Sequence, residues 1–178
     1  MKNIVKSFIL FILINQIMIL FCQPGGSPGG SSTNDFDYSK ISALKTDEDL
    51  DGGEYTTSTS DQSVLYVTST PEKKVYNDAK LTKSGDTAQS SIENCEFYGA
   101  NAAVLVNGGK LSISDSTILT SGKGANAIVA TNSATVTISK STVTSTSSQS
   151  GRGLHATYGG KIRQQKLLYL LLEDHVQP

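Results

Sequence analysis

The chain has 178 residues, room for one ordinary domain. With 17% charged residues, 37% hydrophobic residues and a formal net charge of −1, it has no overall field that would draw nucleic acid or an anionic membrane. No basic cluster with interleaved aromatics is present, so nucleic acid is not an expected partner; Ser, Thr, Gly and Asn fill the composition instead.

Lys2 and Lys6 precede an apolar run from Phe8 to Phe21, broken only by Asn15 and Gln16. A run of about 14 residues is short for a bilayer core and has the length of the apolar region of a secretory signal peptide. Pro24 and Gly25 then break any helix. Cleavage after Cys22 would leave Gln23 first, although Leu20 is bulky three places before the cut. An uncleaved anchor is the alternative; bulky Leu20 and Phe21 argue against a lipidated Cys22. The segment 1–22 is therefore predicted to be a signal peptide, the product secreted, and no stable membrane span left after cleavage. Cys95 is then the one remaining thiol, so no internal disulfide forms. It is either buried and inert or paired with a partner outside this chain.

Residues 23–46 read as a flexible linker, opening on PGGSPGGSST and continuing polar and acidic. Asp47-Glu48-Asp49-Leu50-Asp51-Gly52 then matches the start of a calcium loop, in which Asp47, Asp49 and Asp51 would converge on one hard cation. The twelfth position is Ser58 where a bidentate Glu is expected, the eighth is Glu54 where an apolar residue is usual, and no helices flank the loop. A solvated acidic lead into the first strand is the simpler reading. These three aspartates are the candidate metal ligands; no cofactor is predicted.

From Ser63 the chain repeats itself, and residues 47–162 read as one repeat region. GANAAVLVNGGKLSISDSTILTSGK at 99–123 aligns with GANAIVATNSATVTISKSTVTSTSSQS at 124–150, without gaps from Gly99/Gly124 to Thr120/Ser145, and GRGLHATYGGKI starts a third copy at Gly151. A divergent copy lies at 63–86, followed by an insertion to about Glu96. The period is about 25 residues. Within a copy, apolar positions alternate with polar ones, which is the period of a strand with one buried face. Stacked copies give inward columns Ala103/Ile128/Leu154, Leu105/Ala130/Ala156 and Leu111/Val136/Ile162. Ser112/Thr137, Ser114/Ser139, Ser116/Ser141 and Val106/Thr131/Thr157 then face outward, and Val104/Val129/His155 forms another outward column. Gly108-Gly109, Gly159-Gly160, Asn107 and Asn132 supply the turns. Strands that cannot bury a face alone imply stacking, one coil per repeat. A sandwich of antiparallel hairpins needs no fixed period and is the lesser alternative.

GANAAVLVNGGKLSISDSTILTSG, NCEFYGANAA and GLHATYGGKI resemble the Ser/Thr-rich right-handed parallel β-helix proteins of the pectate-lyase-like superfamily. The resemblance covers roughly residues 47–162 and implies an all-β, right-handed parallel β-helix of about three to four coils. Such proteins are often adhesin-like surface or secreted proteins, many without a known activity, and usually have more coils. The helix is therefore expected to be incomplete.

The last stretch, 163–178, loses Ser, Thr and Gly together and reads RQQKLLYLLLEDHVQP. It is either a C-terminal capping helix over the open end of the stack or the product of a shifted reading frame. One permitted codon choice, read two bases later, gives TTKATISTAGRPCSA, whose TKATIST falls on SKSTVTS of the previous copy.

Chemistry-bearing residues are few. His155 and His175 form neither a metal set nor a triad, and His155 is expected to be an ordinary surface residue. Asp115 and Lys140 occupy equivalent positions and are expected to pair across coils. Arg152 stands isolated in a Gly-rich corner. No carboxylate pair for glycoside hydrolysis can be picked out, so the chain is not expected to be an enzyme. The sequence therefore predicts a non-catalytic extracellular structural or adhesion-type protein, with extracellular glycan as the candidate partner. A truncated or degenerate polysaccharide-lyase-like β-helix, or a gene fragment without function, is the alternative.

Overall fold

The computed structural model describes residues 18–19, 35–68, 71–88, 92–147 and 149–165. The segment 1–22, predicted to be a signal peptide, lies outside them except for Met18–Ile19, and His175 and the tail from 166 lie outside them altogether.

Strands dominate. They run β1 (Met18–Ile19), β2 (Ser42–Thr46), β3 (Leu50–Asp51), β4 (Glu54–Thr57), β5 (Gln62–Val67), β6 (Lys73–Tyr76), β7 (Lys80–Lys83), β8 (Val104–Asn107), β9 (Lys110–Ser114), β10 (Thr117–Thr120), β11 (Ile128–Thr131), β12 (Thr135–Ser139), β13 (Thr142–Ser145), β14 (Leu154–Ala156) and β15 (Lys161–Gln165), with one α-helix among the described residues, α1 (Ile92–Tyr98), and a 3-10 turn at Tyr38–Lys40. They form three sheets: A in the order β3-β6-β9-β12-β15, B in the order β2-β5-β8-β11-β14 and C in the order β4-β7-β10-β13. Every pairing is parallel except that of β1, which lies antiparallel beside β15. The chain visits B, A and C in turn, makes four complete coils and begins a fifth. This is the right-handed parallel β-helix expected from the repeat.

Period-two alternation sets the inside. In β9 and β12, Leu111, Ile113, Val136 and Ile138 are buried, while Ser112, Ser114, Thr137 and Ser139 between them face out. Leu111, Val136 and Ile162 form the expected column, and Ile113 sits between Val75 and Ile138. Sheet C contributes Leu81, Ile118 and Val143, again in one column, with Tyr55 below. Each rung covers its neighbour's apolar face, so stability is shared between adjacent coils rather than held within one.

Two sequence-based expectations need correction. The first coil is β2, β3 and β4, so the coil begins at Ser42, inside the stretch read as linker, and within the acidic lead. Its apolar positions are sparse because it is the end coil: Lys45 stands in the column of Leu65 and pairs with Glu48 at 2.9 Å. Charge at an inward end position blunts an open strand edge.

The second correction is a one-residue register slip in sheet B. Ile128 pairs with Val104, not Ala103, and Val129 with Leu105, so Val104 and Val106 point inward and Leu105 outward. The gapless alignment holds in sheets A and C but fails here because the turns differ in length. Thr131 and Thr135 are bridged through Asn132, Ser133 and Ala134, where Asn107 and Lys110 need only Gly108 and Gly109. The compensating residue lies before β8. Gly108 and Asn132 both have left-handed backbones, at φ 74° and 51°, as their turns require. At this corner the Asn132 side-chain amide donates to Asn107 Oδ1 at 2.7 Å, and Asn107 donates to the Tyr66 hydroxyl at 3.1 Å.

α1 is the insertion between the second and third coils. Glu93 in its first turn suits the positive end, and Gly99 ends it at φ 78°. A Cβ on Gly99 would lie 2.7 Å from Val129 Cγ1 and 2.8 Å from Leu105 Cδ1, so only glycine lets the backbone press onto sheet B here. That contact explains why Leu105 and Val129 face outward yet are fully buried. Lys161–Gln165 continues β15 in register with Thr135–Ser139, placing exposed Gln164 on the column of Ile113 and Ile138.

Candidate functional site

The outside of the coil offers three faces of different character. Sheet B is covered. Tyr38, Ile41 and Ala43 from the lead pack with Tyr66, Ala102, Leu105 and Val129. Phe36 stacks on Tyr98 at 5.0 Å between ring centres, and Tyr98 stacks on Tyr158 at 5.6 Å. This three-ring stack ties the lead, the insertion and the fifth coil together. The Tyr158 hydroxyl is pushed up to about 12, by burial first and then by the Tyr98 hydroxyl beside it.

His155 belongs to this covered face, not to the open surface. It is 8% exposed, beneath α1, with Nε2 in hydrogen-bond contact with the Glu96 carbonyl. Burial lowers its pKa, and Arg152 lowers it further. Arg152 itself is not isolated: it pairs with Glu96 at 3.7 Å. The outward column is Leu105/Val129/His155; the insertion is visible in the sequence, but that it covers this column is not.

Beside this face lies a cleft of about 800 Å³, lined by Asp35, Phe36, Asp61, Asn94 and Tyr98 among others. Both faces of the Tyr98 ring are occupied by its neighbours, so it is no free platform for a sugar ring.

The candidate calcium ligands are placed apart in their bonding. Asp47 accepts the Thr68 amide at 2.8 Å and the Thr68 hydroxyl at 2.6 Å. Asp49 accepts the Lys74 amide at 2.8 Å, and Asp51 accepts the Asn77 side-chain amide at 2.7 Å. Each carboxylate thus holds a different part of the coil above. Among the described residues no group of three or more His, Cys, Asp or Glu side chains could hold a metal ion. Asp47, Asp49 and Asp51 alternate along the corner that leads into β3.

Cys95 is buried and free, its thiol pushed up by burial. Lys83 was missed by the sequence reading. It ends β7 at an inward position, fully buried, in register with Thr57 and Thr120. Its Nζ donates to the Thr59 carbonyl at 2.8 Å. Burial lowers it to about 8, against the opposing pull of Asp61 and Asp86.

Sheet A is open. Its outward rungs carry Ser112 beside Thr137 and Ser114 beside Ser139, as the repeat predicts. The same rungs carry Lys74, Lys110, Lys161 and Arg163, all exposed. Their common placement was legible in the copies, since Lys110-Leu111 and Lys161-Ile162 are equivalent. At the next corner Asp115 and Lys140 stand 4.0 Å apart, the expected cross-coil pair; both side chains are about half exposed, so it contributes under about 1 kcal/mol. The sheet C face mixes Thr56, Thr82, Thr117, Thr142 and Thr144 with a Glu54–Lys80 pair at 3.3 Å.

Fold and faces together define a short parallel β-helix with one covered side and two open ones. No known protein family, curated protein or solved structure matches the chain. Among the described residues no helix is long and apolar enough to cross a membrane.

Proposed function

We propose that this is a secreted, non-catalytic β-helix of adhesion type that binds extracellular glycan on an open sheet face. The observation that carries the reading is the outer face of sheet A, where hydroxyls stand in register on two adjacent coils, Ser112 beside Thr137 and Ser114 beside Ser139, flanked by Lys74 and Arg163 on the coils either side. Such a ladder offers donors and acceptors at one spacing along the stack, about 4.8 Å per rung, which suits an extended polymer better than a small molecule. A glycan array combined with incubation on pectin-type polymers tests the reading. Retention of glycans without cleavage products is the expected result. Cleavage products would favour the polysaccharide-lyase-like alternative, and binding to no glycan would refute the reading.

A further inference from the structure

The net charge of −1 conceals a segregated field. Lys74, Ser112, Thr137 and Arg163 share one outward column of sheet A, and Lys110, Thr135 and Lys161 share the next. At about 4.8 Å per rung, Lys110 and Lys161 stand about 10 Å apart along the stack, and Lys74 and Arg163 about 14 Å apart. Among the described residues none of these four cations makes an ion pair, whereas Lys40, Lys45, Lys80, Lys140 and Arg152 on other surfaces each have one. Three carboxylates lie near this face, one beside Ser112 and two at its far end. Glu72 accepts the Ser112 hydroxyl, and Asp49 and Asp51 belong to the first coil, bonded to the Lys74 amide and to Asn77.

We propose that the outer face of sheet A is a docking face for a polyanionic glycan, whose sulfates or carboxylates meet Lys74, Lys110, Lys161 and Arg163. This rests on the glycan-binding reading above and names the ligand class. Charge complementarity selects the anion, because four unpaired cations on one flat face repel each other until an anion is bound. The intervening hydroxyls of Thr135 and Thr137 complete the rungs and hydrogen-bond the polymer's own hydroxyls. The fixed coil spacing runs the polymer along the stack axis, across several coils at once. A single-stranded nucleic acid is disfavoured, because Tyr76 is the one aromatic among the described residues of this face and base binding needs stacking rings.

The full chain is tested for binding to dextran sulfate, polygalacturonate, neutral dextran and single-stranded DNA, at about 0.1 M and about 1 M salt, where screening differs strongly. One variant combines Lys74→Gln, Lys110→Gln, Lys161→Gln and Arg163→Gln. A second removes the same charge elsewhere, with Lys40→Gln, Lys80→Gln, Lys123→Gln and Lys140→Gln. All substituted side chains are exposed, and far-UV circular dichroism checks that both variants keep the β-sheet signal. The expected result is salt-sensitive binding to dextran sulfate or polygalacturonate, which separates the sulfate and carboxylate sources. The face variant should lose at least about tenfold in affinity, and the matched control should bind as wild type does. Equal losses in both variants, or tighter binding to DNA than to either anionic glycan, would overturn the proposal. Retention of neutral dextran alone would overturn it while leaving the broader reading standing; binding to no glycan would overturn both.

Discussion

Lys83 gives the fold a measurable pH signature. Its ammonium is fully buried, and burial lowers it from 10.5 to about 8. Below about pH 8 both the folded and the unfolded chain carry the proton, and the fold bears the cost of a buried cation. Between about 8 and 10.5 the unfolded chain holds a proton that the folded chain has released, so stability rises with pH. Going from about pH 7 to about pH 9.5, these two values give a gain of about 2 kcal/mol. Cys95, Tyr66, Tyr76 and Tyr158, all raised in the fold, pull the other way as pH passes their ordinary values. The readout is therefore a difference. Lys83→Met keeps the bulk of the stem and removes the titration, while the other groups cancel. Urea unfolding followed by circular dichroism should show wild type gaining about 2 kcal/mol on Lys83→Met between those two pH values. Parallel stability curves for the two proteins would refute the assignment of a depressed, buried Lys83.

Three further outcomes follow from packing and burial. A Cβ on Gly85 would lie 2.3 Å from the Thr59 carbonyl oxygen, and one on Gly122 2.3 Å from that of Gly85, so either Gly→Ala change should cost about 1–3 kcal/mol in chemical denaturation; Gly153→Ala, with nothing within 4 Å, should stay within about 0.5 kcal/mol. Ile138→Ala removes a side chain buried between Ile113 and the fifth coil and should cost about 2–5 kcal/mol, whereas Thr137→Ala, its outward neighbour, should be near neutral in the same assay. His155 is lowered by burial, so the unfolded chain takes up a proton before the folded one; stability is present above pH 6.5 and falls as pH drops below it, and His155→Gln should flatten that acid limb of a thermal-melt series.

The coil was legible because its code is short. Apolar alternation over Leu111–Ile113 and Val136–Ile138, repeated at one period, leaves stacking as the way to bury the apolar face. The same code fails where something other than the next coil covers a position. Leu105 and His155 belong to one outward column, but only the insertion, ending in Gly99 pressed on Leu105 and Val129, explains why both are buried. The insertion has no counterpart in the other copies, so no repeat argument could place it. The first coil was hidden for a related reason: as an end coil it carries Lys45 where inner coils carry Leu65 and Val104, so its alternation is polar. Lys83 escaped notice because a lysine reads as exposed unless its column is known, and Thr57 and Thr120 above and below it are themselves polar. The outward hydroxyls were read correctly on sheet A. Their cationic company was visible in the aligned copies but masked by a net charge near zero.

The central structural claim is that each repeat is one coil, stacked in parallel register on the next. Cross-linking tests it most directly. Ser112 and Thr137 are register partners on adjacent strands, about 4.8 Å apart, within disulfide reach. Ser114 is displaced from Thr137 by two residues, which sets the pair about 8 Å apart and out of reach. Peptide mapping after mild oxidation should find a bridge in Ser112→Cys/Thr137→Cys and none in Ser114→Cys/Thr137→Cys. A bridge in the offset pair, or none in the register pair of a folded chain, would contradict the stacked coil.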